Sequence, residues 1–381
     1  MKQRLLLAGA GHAHLGVLES FARKPVADAD VTLVSPFPRQ VYSGMLPGWI
    51  AGHYDLDQCV VRLATLAARA GVRVQLAHIA RLDLATRTAY TEAAEPIAFD
   101  LLSIDTGPVI ETAAIAGLAE HAIALRPIES LIGQWQRLLA HLADTHEPNT
   151  LTILGGGAGG VELALAFVFR AQSGLPLRVQ LVAGHAGILP SFPPVVRERL
   201  TRQLQLRGVR LISDDAVEIT RHTVLLADGG ELTTQATIAA IGAAAAAWPR
   251  ASGLATDESG FIAVNDRLQS TSHPFVFAAG DCATMLDHAR PKSGVYAVRA
   301  GPPLTRNLRR ALKGRTLHPY VPQRRALYLL SAGDRYAVAS WGDLSVEGSW
   351  VWNWKDRIDR RFMARFADRM QALPPGAAFC G

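Results

Sequence analysis

Apolar positions along the chain come in short runs that end at glycines, and the glycines lead into stretches whose apolar residues recur at helical spacing. Residues 5–8 form such a run. It ends at Gly9-Ala10-Gly11-His12-Ala13-His14, after which Leu15, Leu18 and Phe21 mark one face of a helix, and a second run follows at 31–34. The same order returns at 151–154, followed by Gly155-Gly156-Gly157-Ala158-Gly159-Gly160-Val161-Glu162, a helix through Leu163, Leu165 and Phe167, and a strand at 179–182. Strand, glycine loop, helix and strand make one βαβ unit, so two copies predict two mononucleotide-type sheets. In each loop the first glycine allows the tight turn, the second lets backbone approach a pyrophosphate, and the third lets helix pack closely on strand. Amides at the helix start then hold the phosphates. In the first copy His14 stands at the third position, which predicts slightly looser packing and sets His12 and His14 near the pyrophosphate. No metal is expected there, because no third ligand lies near this pair.

A third apolar run, 275–279, ends in Gly280-Asp281-Cys282, and a helix is expected over 292–301. Farther on, 325–330 and 336–341 alternate like paired strands around a turn at Ala332-Gly333-Asp334. Over 353–368, Trp354, Ile358, Phe362 and Phe366 recur every fourth position, flanked by Arg357, Arg360, Arg361 and Arg365, which predicts a basic amphipathic helix. Amphipathicity alone favours a helix that closes a core or forms a homodimer interface. The alternative is peripheral contact with an anionic membrane. Trp350, Trp352 and Trp354 fit either a core or an acceptor pocket.

With 381 residues, 49% of them apolar, and 33 glycines, the chain can bury two or three cores, which excludes fibrous and disordered classes. Cys59, Cys282 and Cys380 are far apart and lack metal spacing, so reduced thiols are expected rather than a disulfide framework or a zinc site. The N-terminus runs directly into a strand and no apolar run is long enough to span a bilayer, so a cytoplasmic location is expected, with any membrane association peripheral. The net charge of +6 carries little weight. Nucleic acid is not an expected partner, since basic and aromatic residues interleave in one helix only.

The Gly280-Asp281 segment, after two glycine loops, resembles the flavin-binding motif of the pyridine nucleotide-disulfide oxidoreductase superfamily. Residues 101–108 and 237–242 resemble the crossings that lead the chain between that superfamily's two dinucleotide domains. The resemblance covers about residues 1–312. It implies an α/β fold of two Rossmann-like domains, the second inserted in the first, followed by a small α+β C-terminal domain. The implied boundaries are 1–107 and 246–314 for FAD, 108–245 for NAD(P), and 315–381 for the C-terminal part. FAD would contact Gly9, Ala10, Gly11, His12, Ala13 and His14, Ser35 and Pro36, Tyr42 and Met45, Thr106 and Gly107, Gly280, Lys292 and Val295, with Asp281 on the ribityl chain. NAD(P)H would lie on Gly155, Gly157, Ala158 and Gly160, near Glu162 and Gly242. Glu162, Lys292 and Tyr296 are the candidate catalytic residues. The coenzyme is not readable: Ala183 and Gly184 stand where a ribose-binding acid belongs, and His185 and Arg178 are the only candidates for a 2′-phosphate.

Disulfide reductases of this superfamily carry a closely spaced cysteine pair soon after the second strand, but residues 40–49 contain none. Tyr42-Ser43-Gly44-Met45-Leu46-Pro47-Gly48 is similar to type II NADH dehydrogenases, and Lys292 to Arg299 is similar to the flavoprotein module associated with selenide, water dikinase. Val295 and Arg299 replace the glutamines of the dehydrogenases' quinone motif. The implied activity is hydride transfer from NAD(P)H to FAD and onward transfer to a small-molecule, non-disulfide acceptor, either a quinone or a sulfur or selenium species. The alternative is a low-turnover FAD-binding sensor or partner module of a selenium or sulfur enzyme.

Overall fold

The computed structural model describes residues 2–92, 95–144 and 149–367. Two five-stranded parallel sheets organise it. In the first, Val276–Ala278, Leu101–Ile104, Gln3–Ala8, Ala29–Ser35 and Arg73–Leu76 lie side by side in that order. The order of the second is Ala122–Ala124, Ala236–Ala239, Asn149–Leu154, Leu177–Val182 and Arg210–Ile212. Every strand of the second sheet comes after Leu101–Ile104 in sequence and before Val276–Ala278. The first sheet is therefore completed only when the chain returns from the second. Central strands such as Gln3–Ala8 and Asn149–Leu154 are buried on both faces, which is why they read as continuous apolar runs rather than alternating ones.

Each glycine loop follows the central strand of its sheet, so both loops open at the carboxyl edge beside a strand-order reversal, where parallel sheets leave a crevice. The helix His12–Arg23 packs on Gly294–Ala311. Two glycines make this approach close: a Cβ built on Gly16 would lie 3.5 Å from the Gly301 Cα, and one on Gly301 would lie 3.1 Å from the Ala13 carbonyl oxygen.

The predicted C-terminal hairpin is present as Leu327–Ser331 and Ala337–Trp341, antiparallel. A third strand, Leu344–Gly348, extends it through a two-residue turn in which Gly342 is left-handed, φ 59°. The amphipathic helix runs Ser349–Ala364, so it starts four residues earlier than its apolar spacing predicts. Cys380 lies outside the described residues. Among the described residues no helix is long and apolar enough to cross a membrane, and no cluster of metal-ligating side chains occurs.

Candidate functional site

The first glycine loop is built around an acid that the sequence pattern did not single out. Gly9 has φ 86°, and a Cβ there would clash with the backbone of Asp105 and Thr106. The Asp105 backbone carbonyl accepts from the Gly11 amide at 3.0 Å, and its carboxylate accepts from the His14 amide at 2.9 Å. A Cβ on Gly11 or on Gly280 would strike this carboxylate, so Asp105 fills the gap between the two motifs of the first sheet. Burial pushes Asp105 up to about 7; the His14 amide opposes the shift and the neighbouring Asp281 adds to it. The signal in sequence was an acid at the end of an otherwise apolar strand.

Both ring nitrogens of His14 are taken up by the protein itself. The ring is fully buried, with Nδ1 2.6 Å from the Gly9 carbonyl oxygen and Nε2 2.8 Å from the Ser103 hydroxyl. Burial pushes it down to about 4, so the ring is neutral: Nδ1–H donates to the carbonyl and Nε2 accepts from the serine. The expected looser packing is replaced by a polar peg that pins the loop to the sheet. His12 is different. Burial, and next Arg126, push it down to about 4, and its Nε2 is buried without a partner. Its ring meets Tyr42 edge-on at 5.6 Å between centroids.

Ala10 and Ala13 are also in this buried loop and helix start, and Ser35 and Pro36 follow the second strand. The Ser35 hydroxyl donates to the Phe37 carbonyl at 3.0 Å. Thr106 and Gly107, φ 74°, close the turn after Leu101–Ile104. Asp281 lies just past Val276–Ala278, and burial raises its pKa while Arg126 and then Lys292 oppose the shift. Arg126 reaches it from beyond Ala122–Ala124, at 3.6 Å. The Ser293 hydroxyl lies beside the Tyr328 hydroxyl. These residues fit FAD: first-turn amides at His12 lack intrahelical partners, and the orphaned His12 Nε2 is a polar atom that a bound group would satisfy.

Lys292 and Tyr296 border a cleft with Asp281, Thr284, Arg290 and Tyr320. The Lys292 ammonium bonds Thr284 Oγ1 at 2.8 Å and stands 3.9 Å from the Phe261 ring centroid, and burial lowers its pKa. Val295 and Tyr296 occupy the first turn of Gly294–Ala311.

Glu162 lies elsewhere, beneath the C-terminal helix. Its carboxylate accepts from the Ser331 amide at 2.8 Å, and burial pushes it up to about 7 against the pull of Lys355. Lys355 is buried, bonds the Gly44 carbonyl and pairs with Asp359 at 2.6 Å. Burial works against the Lys355 charge, but Asp359 and Glu162 outweigh it and hold the amine protonated. The Tyr42 hydroxyl donates to the other Asp359 oxygen at 3.0 Å. Met45 is buried beside this group, in contact with the cluster formed by Tyr54, Cys59, Val351 and Trp352. The sequence reading named Tyr42, Met45 and Glu162 but missed Lys355 and Asp359. These two share one helix face at i and i+4, a pattern masked by the surrounding arginines.

The three tryptophans separate. Trp352 is buried against Tyr54 and His53, whereas Trp350 and Trp354 are exposed and stacked on each other at 6.5 Å. Both described thiols are buried, and burial pushes Cys59 and Cys282 up to about 12, so neither is a thiolate at neutral pH.

In the second loop Gly155 has φ 115°, and a Cβ there would lie 2.5 Å from the Ala240 carbonyl oxygen. A Cβ on Gly160 would collide with the Gly155 carbonyl, so the third-position packing role holds in this copy. Gly157 precedes the helix Ala158–Ala171, and Gly242 follows Ala236–Ala239. Arg178 pairs with Thr150 at the far end of its strand, about 13 Å of extended chain before Val182, which removes it from any 2′-phosphate site.

Known proteins bear on this arrangement. An internal alternative NAD(P)H-ubiquinone oxidoreductase of Arabidopsis thaliana is 24% identical over 320 residues, covering 75% of this chain and 62% of the relative's length. A sulfide:quinone oxidoreductase from Aquifex aeolicus superposes with a TM-score of 0.77 at 16% identity, covering 96% of this chain and 91% of that one. An NAD-dependent persulfide reductase from A. fulgidus gives 0.74 at 20% identity, covering 89% and 64%. These structures share the fold. Residues 3–301 match the pyridine nucleotide-disulphide oxidoreductase family, so the chain belongs to that family.

Proposed function

We propose that the chain takes reducing equivalents from NAD(P)H and delivers them to an apolar quinone. FAD, when bound, would supply the redox chemistry that links a two-electron donor to the acceptor. On this reading 1–107 and 246–314 form the FAD domain, 108–245 the inserted nicotinamide domain, and 315–381 a C-terminal domain that serves the acceptor. Gly155, Gly157, Ala158 and Gly160 hold the dinucleotide, while Asp281, Arg126 and the first glycine loop hold the flavin nucleotide. Lys292 and Tyr296, which line a cleft with Asp281, would lie beside it.

The observation that carries the acceptor is the group Glu162, Lys355, Asp359 and Tyr42, gathered where the strand Leu327–Ser331 lies against both the helix Ala158–Ala171 and the C-terminal helix. A quinone takes up protons as it is reduced. Glu162, with its pKa raised to about 7, holds a proton ready at neutral pH, and the Lys355 ammonium stabilises negative charge that develops beside it. A persulfide acceptor is less well supported, since sulfur exchange needs a thiolate and both described thiols are protonated. The outer face of the same region exposes Trp341, Leu344, Trp350, Trp354 and Ile358, with Arg357 and Arg361 alongside. Such a face suits the surface of an anionic membrane, where apolar quinones reside.

The test is to reduce the yellow protein anaerobically and offer it ubiquinone-1, a persulfide and selenite in turn. Rapid reoxidation by the quinone is expected. Reoxidation by the persulfide alone would overturn the assignment.

A further inference from the structure

The second sheet presents three loops side by side at its carboxyl edge: the glycine loop after Asn149–Leu154, residues 183–187 after Leu177–Val182, and residues 213–215 after Arg210–Ile212. A dinucleotide whose pyrophosphate sits on the first loop extends its adenosine ribose over the second, where an acid at the strand end ordinarily receives the 2′-hydroxyl. Ala183 and Gly184 supply no such group. The third loop does. A Cβ on Gly184, φ 74°, would stand 2.6 Å from Oδ1 of Asp215, so the absence of a side chain at 184 makes room for that carboxylate.

Asp215 is fixed in place there. Its Oδ1 accepts from the His185 amide at 3.2 Å, and its Oδ2 lies 2.9 Å from His185 Nδ1. Asp214 backs it, with its own carboxylate held by the amides of Asp215 at 2.8 Å and Asp228 at 3.1 Å. The Asp215 side chain is 61% exposed, which leaves it open to a ligand. His185 is engaged by both acids, and Arg178 is at the wrong end of its strand.

We infer that Asp215, arriving from the neighbouring loop, takes the role of the missing ribose acid and selects NADH against NADPH. The inference rests on the reading that the second glycine loop binds the reducing dinucleotide. A 2′-phosphate would face two carboxylates, whereas a 2′-hydroxyl donates to one of them.

The test uses FAD-loaded protein and two readouts: flavin reduction by NADH and NADPH, and calorimetric binding of ADP-ribose and 2′-phospho-ADP-ribose. NADH is expected to be preferred by at least about a hundredfold, the scale of like charges set against each other. Asp215→Asn should bring the two dinucleotides within about tenfold, with the loss of one like-charge contact. Equal use of NADPH by the wild type, or an unchanged ratio in Asp215→Asn, would overturn the assignment. If neither dinucleotide bleaches the flavin but ADP-ribose still binds better than its 2′-phospho form, the selectivity stands and the reductase reading fails. Binding of neither fragment overturns the selectivity as well.

Discussion

Asp105 and Glu162 are carboxyl groups raised to about 7 by burial, and each carries a separate consequence. Asp105 binds its proton more tightly in the folded chain than in the unfolded one. From its ordinary value of about 4 up to about 7 the folded state holds the extra proton, so this group makes stability fall as pH rises through that window. His12 and His14, pushed down to about 4, act in the opposite sense, so the difference between wild type and Asp105→Asn isolates the acid. Thermal unfolding followed from pH 4.5 to 8 should show the variant gaining on the wild type as pH rises toward ~7 and holding that gain above it. A constant difference across the range would contradict the assignment. Glu162 acts on turnover instead. It is protonated below about 7, so reoxidation by a quinone should slow as pH rises through that value. Glu162→Gln should abolish this inflection and slow reoxidation on the order of a hundredfold, the usual contribution of a positioned acid. Flavin reduction by the dinucleotide should be unaffected, and stopped-flow measurement of the two half-reactions separates them.

The elements divide into those the sequence made legible and those it did not. Central strands were readable because burial on both faces leaves an unbroken apolar run, and the glycine loops because only glycine satisfies the backbone at Gly9 and Gly155. Leu344–Gly348 was not, since it is an edge strand with no buried residue and no alternating signature strong enough to mark it. The start of the C-terminal helix was obscured by Trp350, Trp352 and Trp354, whose two-residue spacing imitates a strand. Asp105 was hidden for another reason: its role comes from contacts with Gly11 and Gly280, which are distant in sequence and meet only in the folded chain. The same holds for Lys355 and Asp359, whose meaning depends on Gly44 and Tyr42. Because that pair is buried, Lys355→Met alone should destabilise the chain by about 3–5 kcal/mol, leaving an unpaired carboxylate inside. The double variant Lys355→Met/Asp359→Leu should recover most of that loss, as chemical denaturation of both would show.

At the scale of the whole molecule, one chain carries two parallel sheets, each with a glycine loop, and the C-terminal strands and helix cover the region where Tyr42 and Glu162 approach Asp359 and Lys355. The outward side of that cover carries an apolar patch beside arginines. Sedimentation with anionic vesicles should retain the protein, with a blue shift of tryptophan emission that neutral vesicles do not cause. Trp350→Ser/Trp354→Ser should release it without altering flavin reduction in solution.

Hydride transfer from a nicotinamide to a flavin held by the same chain is what the proposed activity requires. The direct measurement is an anaerobic titration of the purified yellow protein with NADH while the visible flavin band is followed. The account predicts stoichiometric bleaching and full return of colour when a quinone is admitted. A flavin band unchanged by excess NADH and by excess NADPH would contradict it.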